Sequence, residues 1–153
     1  MQTKRIFPVV LATVALLGSA SYLSADGHDP VEQREAAMKV VGKSTKTIGD
    51  MLKGETDLDA AAANAAMADM QAAVEGLADL FPEGTAGAGE NEFVAAESIW
   101  TDTDGFTAAV AKFQSDIAAG VEANPQSKEE IAAAFGTIAQ NCQSCHETYR
   151  AKK

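Results

Sequence analysis

The fold class predicted by this 153-residue sequence is all-α, an antiparallel four-helix bundle. Two observations carry it. Four stretches repeat apolar residues at spacings of three, four and seven, the period of a helix with one buried face. No segment alternates apolar and polar residues convincingly with the period of two that a half-buried strand needs. The breaks between the four stretches are short, which makes consecutive helices antiparallel neighbours.

The chain opens with Met1-Gln2-Thr3-Lys4-Arg5, continues apolar from Ile6 to Leu17 and then turns to small residues. A charged start, an apolar centre and a small-residue end make residues 1–25 a secretory signal peptide. Ala25 is the preferred cleavage position and Ala20 the alternative. The apolar run is too short to span a bilayer comfortably, and no cysteine stands near the cut to carry a lipid. Residues 26–153 then form one domain with one core.

Helix by helix, the punctuation is local. Residues 26–30 read as a short tail, with His28 in solvent. Asp29 is placed to cap the first helix and Pro30 to open it. Its apolar stripe is Val31, Met38, Val41, Ile48 and Leu52, with Arg34 and Thr45 in the same register, and Gly54 ends it. Thr56 or Asp57 caps the second helix, an alanine-rich run from Asp59 to Leu80. Met67, Met70, Val74, Leu77 and Leu80 form its stripe, and Phe81-Pro82-Glu83-Gly84 stops it. Residues 82–91, with Gly84, Gly87 and Gly89, make a loop, followed by a short helical piece from Glu92 to Trp100. Asp102 or Asp104 caps the third long helix, striped by Phe106, Val110, Phe113, Ile117 and Val121. Asn124-Pro125 breaks it. Ser127 with Glu130 three later is a capping box for the last helix. Its stripe is Ile131, Phe135, Ile138, Cys142, Cys145 and Tyr149.

That last stripe holds the chemistry. Cys142-Gln143-Ser144-Cys145-His146 contains both cysteines of the protein and one of its two histidines. Cys-x-x-Cys-His is the attachment signature of a c-type haem. The two thiols add across the porphyrin vinyl groups, and the adjoining imidazole becomes the proximal iron ligand. On a helix the two thiols share a face, and His146 lies on the same side. A thioredoxin-like motif would follow a strand, and none is visible. A structural zinc site needs four ligands, and no second cysteine pair exists. A plain disulfide suits an exported protein but leaves His146 without a role; it defines a non-redox helical module as the competing reading. Because the cysteines lie on the core-facing seam, one covalent haem c is expected to enter the core. Such attachment needs reduced thiols outside the cytoplasm, which with the leader points to the bacterial periplasm.

The full sequence carries a net charge of −10 with a pI near 4.5. The leader holds Lys4 and Arg5 and no acid, so the mature chain is more acidic still. This balance argues against nucleic acid and anionic membrane surfaces as partners and favours redox partner proteins with basic docking patches. No Ser/His/Asp constellation, phosphate loop or paired-carboxylate motif is present, and no enzymatic turnover is expected.

The sequence resembles the class II c-type cytochromes, the cytochrome c′ family. In most other c-type cytochromes the Cys-x-x-Cys-His is near the N-terminus; here, as in this family, it sits on the last helix. The likeness is carried by Arg34-Glu35 with Met38, Lys53-Gly54-Glu55, Phe81-Pro82-Glu83-Gly84-Thr85, Ile99-Trp100 with Phe106, and the block from Cys142 to Arg150. The resemblance implies a left-handed bundle, often a homodimer packed through its first two helices. It implies that Cys142 and Cys145 hold the haem and His146 is the proximal ligand, with Arg34 and Arg150 near the haem or its propionates. Arg34 has an independent warrant, since it stands on an apolar stripe and a buried cation needs a partner; the alternative is a side chain that reaches past the stripe to solvent.

The resemblance also makes Met38 the branching residue. In the low-spin cytochrome c-556 branch a methionine at this position ligates iron and suits electron transfer. In the five-coordinate, high-spin cytochromes c′ a non-ligating residue leaves the sixth site to small gases such as nitric oxide or carbon monoxide. A methionine on a helical stripe otherwise fills core, as Met51, Met67 and Met70 are read. Trp100, Phe106, Phe135 and Tyr149 are candidates for the haem-packing shell, or for ordinary core.

Intact-mass analysis of the exported protein is expected to begin at Asp26. A chain beginning at Ser21 would move the cut to Ala20, and one retaining Met1 would make the leader an anchor.

Overall fold

The computed structural model describes residues 29–89 and 94–151. The leader with its two candidate cleavage positions, His28, and Glu92 with Phe93 of the expected short helix lie outside the described residues. Helix α1 runs Pro30–Lys53, α2 Ala60–Ala73, α3 Ser98–Thr101, α4 Thr103–Ala123 and α5 Lys128–Tyr149, with a 3₁₀ turn at Leu77–Leu80. The four long helices α1, α2, α4 and α5 make an all-α bundle. Helix α1 packs on α2, α2 on α4 and α4 on α5, whereas α1 meets α5 only sparsely. Among the described residues there is no strand, only one isolated antiparallel bridge between Ala95 and Arg150.

The helix ends follow the local chemistry. The Asp29 carboxylate accepts the Val31 N–H at 2.9 Å, and Gly54 closes α1 in the left-handed conformation at φ 78°. Asp102, not Asp104, caps α4 by accepting the Gly105 N–H at 3.2 Å. Ser127 and Glu130 form the capping box of α5.

Two expectations for α2 need correction. Its cap is Asp59, whose carboxylate accepts the Ala62 N–H at 3.0 Å, rather than Thr56 or Asp57. The Glu55 and Thr56 N–H groups still bond back to the Asp50 carbonyl, so the chain stays in the C-terminal turn of α1 there. The helix also ends at Ala73 instead of running to Leu80. Gly76 turns left-handed at φ 66°, a conformation open to glycine at little cost. Gln114 of α4 donates to the freed Val74 carbonyl at 2.6 Å. After this turn, Leu77 is buried.

Ile48, Met67, Met70, Val74, Ile117, Ile131 and Ile138 are fully buried. Met67 and Met70 are core, as read from their stripe. Helix α1 is different from its stripe. Ala37, Ser44, Ile48 and Met51 are buried on one side, while Arg34, Met38, Val41, Gly42 and Thr45 line a cavity on the adjoining one. A single apolar stripe is thus two faces.

Ser127→Ala is expected to cost about 1 kcal/mol of stability, the usual value of an N-cap hydroxyl, read as a lower urea midpoint at constant slope. Glu130 adds a pH dependence. Its carboxylate is held below the usual glutamate range, first by the Gln126 N–H and then by that of Ser127. A lowered folded pKa contributes stability above the unfolded pKa and loses it as the pH falls through the folded one. The acid side of the stability profile should therefore be flatter in Glu130→Gln than in the wild type.

Candidate functional site

Helix α5 divides its seam. Ile131 and Ile138 pack in the core, and from Asn141 onward the same side of the helix opens onto a cavity of about 390 Å³, within the range of small-molecule and cofactor sites. Cys142, Cys145, His146 and Tyr149 of α5 line it, Phe106, Val110 and Phe113 of α4 form another wall, and Arg34, Met38 and Val41 of α1 complete it. The six residues singled out from the sequence, Arg34, Met38, Cys142, Cys145, His146 and Arg150, all border this one space. Cys142 and Cys145 are free thiols, half-buried on one helix face.

The surroundings tune these groups. Burial pushes the Cys142 thiol up, and burial together with its neighbour Cys142 pushes up Cys145. Burial lowers the His146 imidazole, and the nearby Arg150 charge lowers it further. The ring is therefore held neutral, the form that can donate a nitrogen lone pair to a metal. Buried Asn141 donates its amide to Asp116 at 2.7 Å and to the Thr137 carbonyl at 3.1 Å, and so stays in the cavity wall with its donors used.

Arg34 does not reach solvent. It is 3 % exposed. Its Nη1 donates to the Leu80 carbonyl at 3.3 Å and to the Thr85 hydroxyl at 3.1 Å, and its Nη2 to the carbonyls of Thr85 at 3.2 Å and Ala88 at 2.9 Å. The guanidinium carbon lies 4.7 Å from the centre of the Phe81 ring. Only Nε is buried with no partner among the described residues. Burial lowers the Arg34 pKa, against the opposing charges of Asp29 and Glu35.

The open end of α5 is tied to the preceding segment. Ala96 N–H donates to the Tyr149 carbonyl, Ala151 N–H to the Val94 carbonyl, and the Ser98 hydroxyl to the Thr148 carbonyl. The Tyr149 hydroxyl donates to Asp102 at 2.7 Å. Gly105 permits this approach, because a Cβ there would stand 2.6 Å from the Tyr149 hydroxyl. Rings continue the chain of contacts: Phe106 meets Tyr149 edge-on at 5.3 Å and Phe81 at 4.8 Å.

Of the four aromatic candidates, Phe106 and Tyr149 line the cavity. Trp100 instead packs against the core, as does Phe135, and donates its indole N–H to the Phe81 carbonyl at 3.1 Å. The sequence reading missed Phe81 as a wall residue, because Phe81-Pro82 reads as a helix stop; Val94 and Ala95 carried no signal at all.

The cavity fits a haem c. It is mainly apolar, it collects two thiols and a neutral imidazole on one wall, and it leaves one buried cationic donor without an acceptor.

Comparison with known proteins agrees. A family model described as Cytochrome C′ matches residues 29–150. A cytochrome c-556 from Agrobacterium fabrum is 37% identical over 123 residues, covering 80% of this chain and 82% of its own. A cytochrome c′ from Cereibacter sphaeroides is 34% identical over 146 residues, covering 95% and 98%. The solved cytochrome c′ from Rhodopseudomonas palustris superposes with a TM-score of 0.75 at 32% identity, over 83% of this chain and 99% of its own.

Tyr149 supplies a direct test of the α5 anchor. Its phenol is pushed up to about 12, first by its hydrogen bond to Asp102. A raised folded pKa contributes stability below the ordinary phenol pKa and loses it as the pH rises through the folded one. The other tyrosine is Tyr22, so a chain cut after Ala25 reports Tyr149 alone. In Asp102→Ala the phenolate absorbance is expected to appear near the ordinary value of about 10.

Proposed function

Because this chain belongs to the cytochrome c′ family, the class II c-type cytochromes that bind a covalent haem c, we propose that it is a periplasmic electron carrier in which Cys142 and Cys145 would hold the haem and His146 and Met38 would ligate its iron. The observation that carries this reading is that Met38 borders the same cavity as the Cys142–His146 wall, from a different helix. The haem supplies a one-electron couple at iron.

The protein side of the mechanism follows from its own groups. His146 is kept neutral by burial, with one ring nitrogen available as a ligand. The Met38 thioether is a soft donor that favours the reduced metal and raises the potential. The apolar side chains of α4 and α1 exclude water from the centre, which keeps the dielectric low. Arg34 and Arg150 bring positive charge to the cavity for the haem propionates, and Arg34 has its Nε to offer. With both His146 and Met38 donating to it, the haem would supply outer-sphere electron transfer.

Location and partners follow the same reading. The leader directs the chain to the periplasm, and among the described residues no helix is long and apolar enough to cross a membrane. The charge of −10 suits redox partners with basic patches. A homodimer is the companion proposal, since a ligand-controlled dimer dissociation is described for one cytochrome c′ of this fold.

A second reading has its own support. Met38 is only half-buried, and relatives of comparable identity carry the name cytochrome c′; a variant of the cytochrome c′ from Alcaligenes xylosoxidans has been solved as its nitric oxide complex. In that reading Met38 only packs, and the sixth site takes small gases.

Absorption spectra of the holoprotein with and without carbon monoxide separate the two. Met38 ligation predicts a low-spin spectrum with a sharp ferrous visible band and no carbon monoxide shift, converted to high spin by Met38→Ala. A high-spin spectrum that shifts with carbon monoxide establishes the gas-binding reading instead.

A further inference from the structure

Arg34 spends its guanidinium on the protein. Both Nη nitrogens are engaged by the segment from Leu80 to Ala88, so a single N–H remains for anything bound in the cavity. Hydrogen bonds to a buried charge are the strong kind, and a cation sealed at 3 % exposure depends on all of them. Gly84 and Gly87, both at positive φ, let this segment turn its carbonyls inward around the cation.

The acceptors matter because of what else the segment holds. Phe81, at its start, is a wall residue of the cavity and stacks on the guanidinium. Gly87 N–H donates to the carbonyl of Ala95, another wall residue, at 3.0 Å. Ala95 in turn bridges to Arg150 at the end of α5. Three pieces of wall from different parts of the chain are therefore linked in series through the segment that Arg34 holds. Phe81 is held besides by the Trp100 indole N–H on its carbonyl and by the edge of Phe106.

We propose that Arg34 is the positioning residue that keeps this end of the cofactor pocket shut: it clasps the 80–88 segment, holds Phe81 and Ala95 in the wall, and thereby sets how fast water and small ligands reach the cavity. The clasp rests on the haem reading only in taking the cavity as the haem's, and it is independent of whether Met38 ligates. It differs from a role in propionate binding, which would call on the guanidinium from the cavity side.

The test uses the haem-loaded protein and two readouts. One is cleavage of the Glu83–Gly84 bond by a glutamate-specific protease, since Glu83 is exposed in the clasped segment. The other is the rate of imidazole binding to the ferric haem. Arg34→Ala should raise both by about tenfold or more, the scale of a lost charge-assisted hydrogen bond. Millimolar methylguanidinium should reverse both, with sodium chloride at equal ionic strength having no effect, because the vacated cage keeps its carbonyls and the Phe81 face. Thr85→Val removes one acceptor and leaves Arg34 in place; it should move both readouts the same way by less, and it decides the matter if Arg34→Ala yields no holoprotein. Cleavage and imidazole rates equal to wild type in the variants overturn the clasp. So does acceleration in Arg34→Ala that methylguanidinium leaves untouched, which would mean general loosening of the bundle. The protease readout does not depend on iron ligation, so failure of the Met38 reading and failure of the clasp are distinguishable.

Discussion

The structure turns on how α5 spends its buried seam. Its first half inserts Ile131 and Ile138 into the core, and its second half presents Cys142, Cys145, His146 and Tyr149 to a cavity. The part of the α5 seam that lines the cavity is not covered by α1, although α5 still packs on α4. The consequence is visible across the bundle: α1 closes on α2 but only sparsely on α5, and the space between them is the site. The alanine-rich face of α2 belongs to the same solution. Ala63 and Ala66 are buried without lining the cavity, and their small side chains allow close helix approach there.

A cavity on the seam needs walls that helices alone do not supply, and the connecting segment provides them. Its backbone would be costly to bury without partners. Arg34, Trp100 and the end of α5 supply those partners, by bonds to Leu80, Phe81, Thr85, Ala88 and the 94–98 segment. The buried cation and the loop thus solve each other's problem. The arginine has acceptors, and the carbonyls have a donor. Replacing either alone leaves the other unsatisfied in a low-dielectric setting.

Along the cavity, the α5 wall is neutral and the positive charge stands at Arg34 and Arg150. Burial disfavours the charged forms of the Cys142 and Cys145 thiols and of the His146 imidazole. Arg34 and Arg150 hold the positive charge, one sealed and one exposed. The acidic exterior is separate from this. Its ion pairs, such as Lys46–Asp50, are exposed and contribute little to stability, so the surface charge bears on partners rather than on the fold.

The parts legible in the sequence are those governed by local chemistry. Asp29, Gly54, Asn124 and the Ser127–Glu130 box mark helix ends because caps act within a few residues, and the spacing of Cys142, Cys145 and His146 puts those side chains on one helical side whatever surrounds them. Even Arg34 was conspicuous, as a cation on an apolar stripe. What only the tertiary structure decided is where each face goes. One stripe on α1 proved to be two faces, because whether a residue packs on α2 or lines a cavity depends on which neighbour approaches it. The early end of α2 at Ala73 follows the same rule: Gly76 permits a left-handed turn, and Gln114 of α4 supplies a donor to the Val74 carbonyl. Phe81 reads as a helix stop and works as a wall, and the acceptors of Arg34 lie some fifty residues away in the chain. Such pairings have no period and no motif, since they are set by the distance between helices after folding and not by the order of residues before it.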